Sequence, residues 1–154
     1  SEFRCVIFVT DSKYTKKILF ISFYIVILQG NQWKEEMKKI LVAEDTESNY
    51  LLLSIILRKE YEVHRAHDGQ EAIEKFESCR PDMILMDIKM PVMDGLEATR
   101  RIRLKGGTLP IIALTANAYD SDRDKAFEAG CDDYMAKPIM APALREMIKK
   151  YFGE

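Results

Sequence analysis

The fold is decided by residues 83–95, which read MILMDIKMPVMDG. An apolar run leads directly into Asp87, and the Met-Pro and Asp-Gly pairs that follow it are turn signals. A short apolar run bounded by turn residues is typical of a buried strand. Asp87 therefore stands at the carboxyl end of a predicted strand, where open α/β sheets form their ligand crevice. It is the first candidate functional residue of the chain.

Further apolar runs of similar length lie on either side of this stretch, and helical patterns separate them. Strands that alternate with helices indicate a parallel sheet covered on both faces. Because crossovers between parallel strands are right-handed, few topologies remain. We expect the doubly wound order 2-1-3-4-5, in which strands one and three are neighbours. The predicted strands are 39–43, 61–66, 82–86, 110–114 and 132–136.

The predicted helices carry apolar residues at the spacing of one buried face. The third helix, which begins at Gly95, also has a basic face that we expect to be solvated. That basic face consists of Arg100, Arg101, Arg103 and Lys105. The residues expected to be buried are Leu52, Leu53, Ile56 and Leu57 in the first helix, and Leu144, Met147, Ile148 and Tyr151 in the last.

Length and composition bound the class of protein. At 154 residues, 47% of them hydrophobic, the chain can bury the core of one ordinary domain and leave a segment over. A net charge of −2 argues against direct binding of nucleic acid, which needs a basic surface. Cys5, Cys79 and Cys131 are widely spaced and odd in number, so we expect free thiols in a reducing, cytoplasmic setting. His64 and His67 lack the third imidazole that would favour a metal role.

Residues 1–37 differ from the rest and are predicted to be an N-terminal extension, with the main domain at 38–154. Their apolar run at 18–28 is shorter than the roughly 20 residues of a membrane span, and no signal-peptide cleavage site follows it. Residues 1–3 resemble a cloning scar. Two interpretations of the remainder stay open. It is either an accessory strand or helix that covers an apolar patch, or a segment without a role, left from an upstream element, a vector or a leader.

Other predicted strands also end in functional side chains. Glu44 and Asp45 follow the first strand, Thr115 ends the fourth, and Lys137 follows the fifth. In the order 2-1-3-4-5 the acidic pair meets Asp87, and three neighbouring carboxylates raise one another's cost of ionisation. A hard divalent cation with oxygen ligands would offset that cost. Mg²⁺ suits the set, with Mn²⁺ as a substitute.

This group of residues is suited to phosphoryl transfer. A phosphoryl group that moves in line onto a carboxylate develops negative charge, which a metal ion, an ammonium and a hydroxyl stabilise. Lys137 offers the ammonium and Thr115 the hydroxyl. Since a carboxylate can carry the transferred group as a covalent intermediate, the residues favour Asp87 as an aspartyl-phosphate acceptor.

From residue 38 to the C-terminus the sequence resembles a response-regulator receiver domain, and residues 114–118 are most similar to receivers of hybrid histidine kinases. Each motif is weak alone, but together they occur in order at predicted strand ends. The resemblance implies an α/β, flavodoxin-like (βα)5 fold. The motifs are Ala-Glu-Asp at 43–45, Leu-Met-Asp at 85–87, MPVMDG at 90–95, Ala-Leu-Thr-Ala at 113–116 and Tyr-Met-Ala-Lys-Pro at 134–138.

The resemblance also implies a role for each matching residue. Many members of the family have two aspartates where this chain has Glu44 and Asp45, so one acidic arm is longer here. The implied roles are phosphoacceptor for Asp87; metal ligands for Glu44, Asp45, Asp87 and the backbone carbonyl of Lys89; phosphoryl contacts for Thr115 and Lys137; and a switch formed by Thr115 and Tyr134.

The implied function is that of a phosphorelay receiver, not an enzyme. A histidine kinase or a histidine phosphotransfer protein would be the phosphodonor, and the output would be an altered protein-interaction surface, with homodimer formation left open. No kinase histidine box or nucleotide-binding glycine motif occurs in this sequence. One alternative is a phosphatase with an aspartyl-phosphate intermediate, which would need a second aspartate where Lys89 stands. The other is an interaction module that is never phosphorylated.

Overall fold

The computed structural model describes residues 37–116 and 120–153. Residues 1–36 of the predicted extension, Cys5 among them, lie outside the described residues, so both interpretations of the extension stay open. The strands are β1 (Lys39–Ala43), β2 (Glu62–Ala66), β3 (Met83–Asp87), β4 (Ile111–Thr115) and β5 (Asp133–Ala136). The helices are α1 (Glu47–Leu57), α2 (Gly69–Cys79), α3 (Gly95–Leu104), α4 (Asp120–Ala129) and α5 (Ala141–Phe152).

The strands form one parallel sheet in the order β2-β1-β3-β4-β5, which confirms the predicted flavodoxin-like topology. β3 and β4 each begin and end one residue later than predicted. The parallel ladder continues to their last residues, since Asp87 pairs with Leu114 and Thr115 pairs with Ala136. Asp87 and Thr115 therefore belong to the sheet itself, so the ladder fixes the backbone from which each side chain projects.

The hydrophobic core has two halves, one on each face of the sheet. Every residue of β3 and β4 is buried, as expected for central strands with helices on both sides. Because successive residues of a strand point to opposite faces, these strands contribute to both halves. With α1 and α5, one half includes Ile40, Val42, Leu53, Leu85, Leu114 and Ile148; with α2, α3 and α4, the other includes Leu41, Ile73, Ile84, Met86, Ile102 and Ala126.

Two sequence predictions about helix faces were wrong. Leu52 was expected in the buried stripe of α1, but it is 46% exposed, because Leu53, Ile56 and Leu57 complete that stripe without it. Arg103 was expected on a solvated face of α3. Its side chain is only 23% exposed, because its guanidinium lies over the loops that lead into β4 and β5. It donates to the carbonyls of Gly107, Leu109 and Gly130 and to the carboxylate of Asp132.

The start of α3 lies directly against the backbone of Asp87. Asp94 caps the helix by accepting a hydrogen bond from the Glu97 N–H at 2.8 Å. Gly95 then donates to the carbonyl of Ile88 at 3.0 Å. A Cβ on Gly95 would lie 2.0 Å from the carbonyl oxygen of Asp87, so only glycine permits this approach. The Asp-Gly turn found in the sequence thus helps to fix the end of β3.

In 37–116 and 120–153, no helix has both the length and the apolar content that crossing a bilayer requires.

Candidate functional site

Three carboxylates meet at the carboxyl edge of the sheet. Glu44 and Asp45 come directly after β1, and Asp87 ends β3, the strand beside it. Carboxylate oxygens of the three residues lie within 4.8 Å of one another. The Glu44 residue is 0% exposed and Asp87 is 5% exposed, whereas Asp45 is open to solvent. The arrangement is an acidic pocket in which Glu44 and Asp87 are buried and Asp45 lies at the opening to solvent.

Lys137 bridges two of these carboxylates. Its Nζ donates to Glu44 Oε2 and to Asp87 Oδ2, each at 2.7 Å. Its backbone N–H donates to the carbonyl of Thr115 at 2.7 Å, which fixes the residue just beyond β5. The peptide bond between Lys137 and Pro138 is cis. The fold therefore brings together residues that are 93 and 50 positions apart in the chain.

The electrostatics of the pocket are unbalanced. Burial raises the pKa of Asp87, and the neighbouring Glu44 raises it further, while the hydrogen bond and charge of Lys137 oppose both effects. Burial tends to lower the pKa of Lys137, but its hydrogen bonds with Asp87 and Glu44 outweigh burial and raise that pKa above its ordinary value. The ammonium thus stays charged. One ammonium against three carboxylates leaves the pocket net negative.

The donor set fits a hard divalent cation. All three side chains offer carboxylate oxygens, the ligands that Mg²⁺ prefers. Lys89 lies at the same site, since its backbone N–H donates to Asp87 Oδ1 at 3.1 Å, while its side chain is exposed. Among the described residues, this acidic group is the cluster of His, Cys, Asp and Glu that could hold a metal ion. The histidines lie elsewhere, His64 against Glu62 and His67 against Glu71.

Thr115 lies at the same edge as the carboxylates. It is the last residue of β4, is 3% exposed, and follows Leu114, the residue that pairs with Asp87. Its carbonyl accepts the Lys137 N–H described above. The structure thus places Thr115 and Lys137 side by side at the strand ends, as the sequence predicted.

Tyr134 lies one step away from this cluster, inside β5. It is half-buried and pairs with Ala113, two residues before Thr115, so Tyr134 and Thr115 project from the same face of the sheet. Its ring packs edge-on against Phe127 of α4, with centroids 6.2 Å apart and planes at 84°. Tyr134 therefore contacts the helix layer and lies apart from the charged pocket.

Asn49, in the first turn of α1, was not predicted as a site residue from the sequence. Its amide donates to Glu44 Oε1 at 2.9 Å, on the opposite side of the carboxylate from Lys137. A small cavity of about 80 Å³ lies beside these residues. A polar residue five positions after Glu44, in the first turn of the helix that follows the first strand, was the available signal. The cavity is lined by Glu44, Asn49, Leu52, Leu53, Lys137, Pro138 and Ile139.

The family is settled by sequence comparison. The model of the response regulator receiver domain matches residues 40–149, well over half of the chain. The chain belongs to the response-regulator receiver family. Receiver domains are phosphoacceptor modules of two-component phosphorelays, and the matched region contains every motif described above.

Known relatives agree with this assignment. The receiver is 44% identical over 119 residues to hybrid signal transduction histidine kinase G of Dictyostelium discoideum, which covers 73% of this chain but only 4% of that kinase. It is 41% identical, with a TM-score of 0.71, to the receiver domain of a Pseudomonas aeruginosa sensor histidine kinase, covering 76% of this chain and 98% of that one. That structure has a magnesium ion coordinated in its active-site cleft.

A third relative was solved with a partner. The receiver domain of the Saccharomyces cerevisiae response regulator Ssk1 was co-crystallised with the histidine phosphotransfer protein Ypd1. It is 32% identical to this chain, with a TM-score of 0.71, and the match covers 75% of this chain and 89% of the other.

Proposed function

We propose that this receiver takes a phosphoryl group from a partner's phosphohistidine onto Asp87 in a reaction that requires Mg²⁺, Mn²⁺ being able to substitute. The observation that carries the proposal is the position of Lys137. Its ammonium lies 2.7 Å from both Asp87 and Glu44, within a group of three carboxylates. Apolar residues in place of a whole buried ion pair are often as stabilising as the pair itself, so a role in function explains these charged residues better than a role in stability.

In this reaction a carboxylate oxygen of Asp87 attacks phosphorus, an O–P bond forms, and the N–P bond to the donor histidine breaks. Lys137, which already touches Asp87, stabilises the negative charge on the transferred group. The Lys89 N–H holds the other Asp87 oxygen at 3.1 Å and fixes the plane of the carboxylate. A bound Mg²⁺, held by Glu44, Asp45, Asp87 and the Lys89 carbonyl, would neutralise charge on the phosphoryl oxygens.

Phosphorylation would then act as a local charge switch. The added phosphoryl group is close to dianionic and attracts Lys137 and the hydroxyl of Thr115. Movement of Thr115 would open space on the face of the sheet that it shares with Tyr134, whose ring would turn inward and leave Phe127. The output is a changed surface of α4, β5 and α5, which biases a partner's binding.

The phosphodonor is a histidine kinase or a histidine phosphotransfer protein. The yeast complex of a related receiver with Ypd1 supports this. An exposed apolar patch next to the pocket also supports it, since Leu51, Leu52 and Ile55 of α1 are between 46% and 55% exposed. Exposed apolar surface of this kind marks interaction sites, and Leu52 lines the same cavity as Glu44 and Lys137. Residues 38–154 would form the receiver domain, with cytoplasmic placement expected and homodimer formation left open.

A labelling experiment tests this function. The full chain is incubated with a phosphorylated histidine phosphotransfer protein, or with acetyl phosphate, in the presence of Mg²⁺ or EDTA. Wild type and the control Asp124→Asn, which alters an exposed aspartate of α4, should become labelled with Mg²⁺ only. Asp87→Asn should keep its fold, judged by circular dichroism, and take up no label. Full labelling of Asp87→Asn, or labelling of wild type in EDTA, would refute the proposal, and sustained turnover of small phosphoesters would favour the phosphatase alternative.

A further inference from the structure

The backbone of the acidic pair is held by an arginine that no motif contains. Arg65 lies in β2, one residue before its end, and its side chain is 13% exposed. Its Nε donates to the carbonyl of Glu44 at 3.4 Å and its NH2 group donates to the carbonyl of Asp45 at 3.2 Å. A single guanidinium therefore binds the carbonyls of both acidic residues.

The same guanidinium also contacts the start of α1. Its carbon lies 4.4 Å from the centre of the Tyr50 ring, and its NH1 group forms an ion pair with Glu47. The N-cap residue of α1, Thr46, makes no side-chain capping hydrogen bond. Although the usual N-cap hydrogen bond is missing there, the contacts of Arg65 connect β2, the β1–α1 turn and the first turn of α1.

The direction of the Asp45 side chain depends on this backbone. Asp45 is exposed, and its carboxylate accepts only a weak 3.3 Å hydrogen bond from the hydroxyl of Thr46 among the hydrogen bonds found in the described residues. Glu44, by contrast, is held by Lys137 and Asn49 through its own carboxylate. A change in the peptide groups at 44 and 45 would therefore turn the Asp45 arm away from the pocket.

We propose that Arg65 is a positioning residue for metal binding, which fixes the β1–α1 turn so that the carboxylate of Asp45 points at Asp87. This inference rests on the proposed Mg²⁺-dependent function of the same site. Groups that orient metal ligands without touching the metal commonly change metal affinity by 10- to 100-fold when they are altered.

A purely electrostatic role and a positioning role for Arg65 predict opposite changes in Mg²⁺ affinity when the residue is removed, so a binding measurement distinguishes the two roles. Arg65 is a cation close to a cation-binding site, so if charge alone mattered its removal would strengthen Mg²⁺ binding. If Arg65 positions the ligands, its removal weakens binding despite the lost repulsion. Lysine keeps the charge but lacks the planar fork that donates to two carbonyls and stacks on an aromatic ring.

The test compares full-length wild type with Arg65→Met, Arg65→Lys and the control Arg58→Met, which removes an exposed arginine at the opposite end of α1. Mg²⁺ dissociation constants are measured by titration calorimetry, and urea unfolding in EDTA shows that each variant is folded. We expect Arg65→Met to bind Mg²⁺ about tenfold more weakly, Arg65→Lys to be weakened as well, and Arg58→Met to match wild type. If Arg65→Met does not fold, Arg65→Lys provides the same comparison.

Two results would overturn the inference. If a folded Arg65→Met or Arg65→Lys binds Mg²⁺ as tightly as wild type, or more tightly, Arg65 serves stability or charge alone, and the proposed function is unaffected. If wild type itself binds no Mg²⁺, the proposed function fails and the inference fails with it.

Discussion

Replacing Lys137 with methionine tests how the charges of the pocket are balanced. The substitution keeps an unbranched apolar stem and removes the ammonium that bridges Glu44 and Asp87. These two side chains are 0% and 8% exposed, so two buried carboxylates would lose their shared partner. Breaking a buried ion pair by removing one partner costs about 3–5 kcal/mol.

The magnitude expected here is at the lower end of that range. The Lys137 side chain is 20% exposed, which lets water reach the pocket, and Asp87 keeps its hydrogen bond from the Lys89 N–H. We therefore expect Lys137→Met to lower the free energy of unfolding by about 3 kcal/mol in EDTA at neutral pH. That is a large share of the 5–15 kcal/mol typical of a whole domain.

Magnesium should reverse much of this loss. A ligand at 100 times its dissociation constant adds about 2.7 kcal/mol to the free energy of unfolding. Because the variant's pocket carries more uncompensated negative charge, Mg²⁺ should stabilise it by more than it stabilises wild type.

The assay is urea unfolding of wild type, Lys137→Met and the control Lys59→Met, each in EDTA and in saturating Mg²⁺. Lys59 is an exposed lysine beyond the end of α1, so its loss should change stability by less than about 0.5 kcal/mol. The reasoning is refuted if Lys137→Met is as stable as the control in EDTA, or if Mg²⁺ stabilises it no more than wild type.

Two further predictions concern stability outside the pocket. Val92 has a φ of +63°, in the left-handed region that strains residues with a Cβ, and its side chain is 87% exposed. Val92→Gly should therefore raise the free energy of unfolding, measured by urea melts, by about 1 kcal/mol. A lower free energy of unfolding would show that the valine side chain stabilises the loop. Burial tends to raise the pKa of Glu71, but hydrogen bonds from Lys75 and His67 lower it to about 2, so this carboxylate stabilises the fold above pH 4.5 and loses that effect as the pH falls towards 2. With the side chain 29% exposed, we expect Glu71→Gln to cost about 1 kcal/mol at pH 7 and clearly less at pH 2, where the carboxyl of the folded protein is about half protonated. Denaturant titrations at several pH values measure this, and equal losses at pH 7 and pH 2 would contradict it.

The sheet and the edge that carries the site could be predicted because they depend on local pattern. Apolar runs that end in Asp87, Thr115 and the Glu44–Asp45 pair mark strand ends, and the rules for parallel sheets then bring those ends to one edge. The position of Lys137 could be predicted in the same way, because it directly follows the fifth predicted strand. Its hydrogen bonds to both Glu44 and Asp87 could not, because they depend on the geometry of the loop after β5.

Two arginines whose contacts were not predicted from the sequence act across long separations, whereas Asn49, also not predicted, lies only five residues from its partner Glu44. Arg65 contacts carbonyls 20 and 21 residues away, and Arg103 contacts groups up to 29 residues away. A surface arginine and a buried arginine look alike in a single sequence, because their partners here are mostly backbone carbonyls, which every residue has. Leu52 was misassigned for a related reason. α1 is apolar on more than one side, so periodicity alone could not show which leucines face the sheet.

The position of the acyl phosphate is the most direct test of the central claim. After incubation of the full chain with Mg²⁺ and acetyl phosphate, borohydride reduces the acyl phosphate and turns the modified aspartate into homoserine, which peptide mass spectrometry locates. We predict homoserine at position 87 with Mg²⁺ and none in EDTA. Homoserine at position 45 or 94, or unmodified Asp87 under conditions that label a known receiver, would show that Asp87 is not the phosphoacceptor.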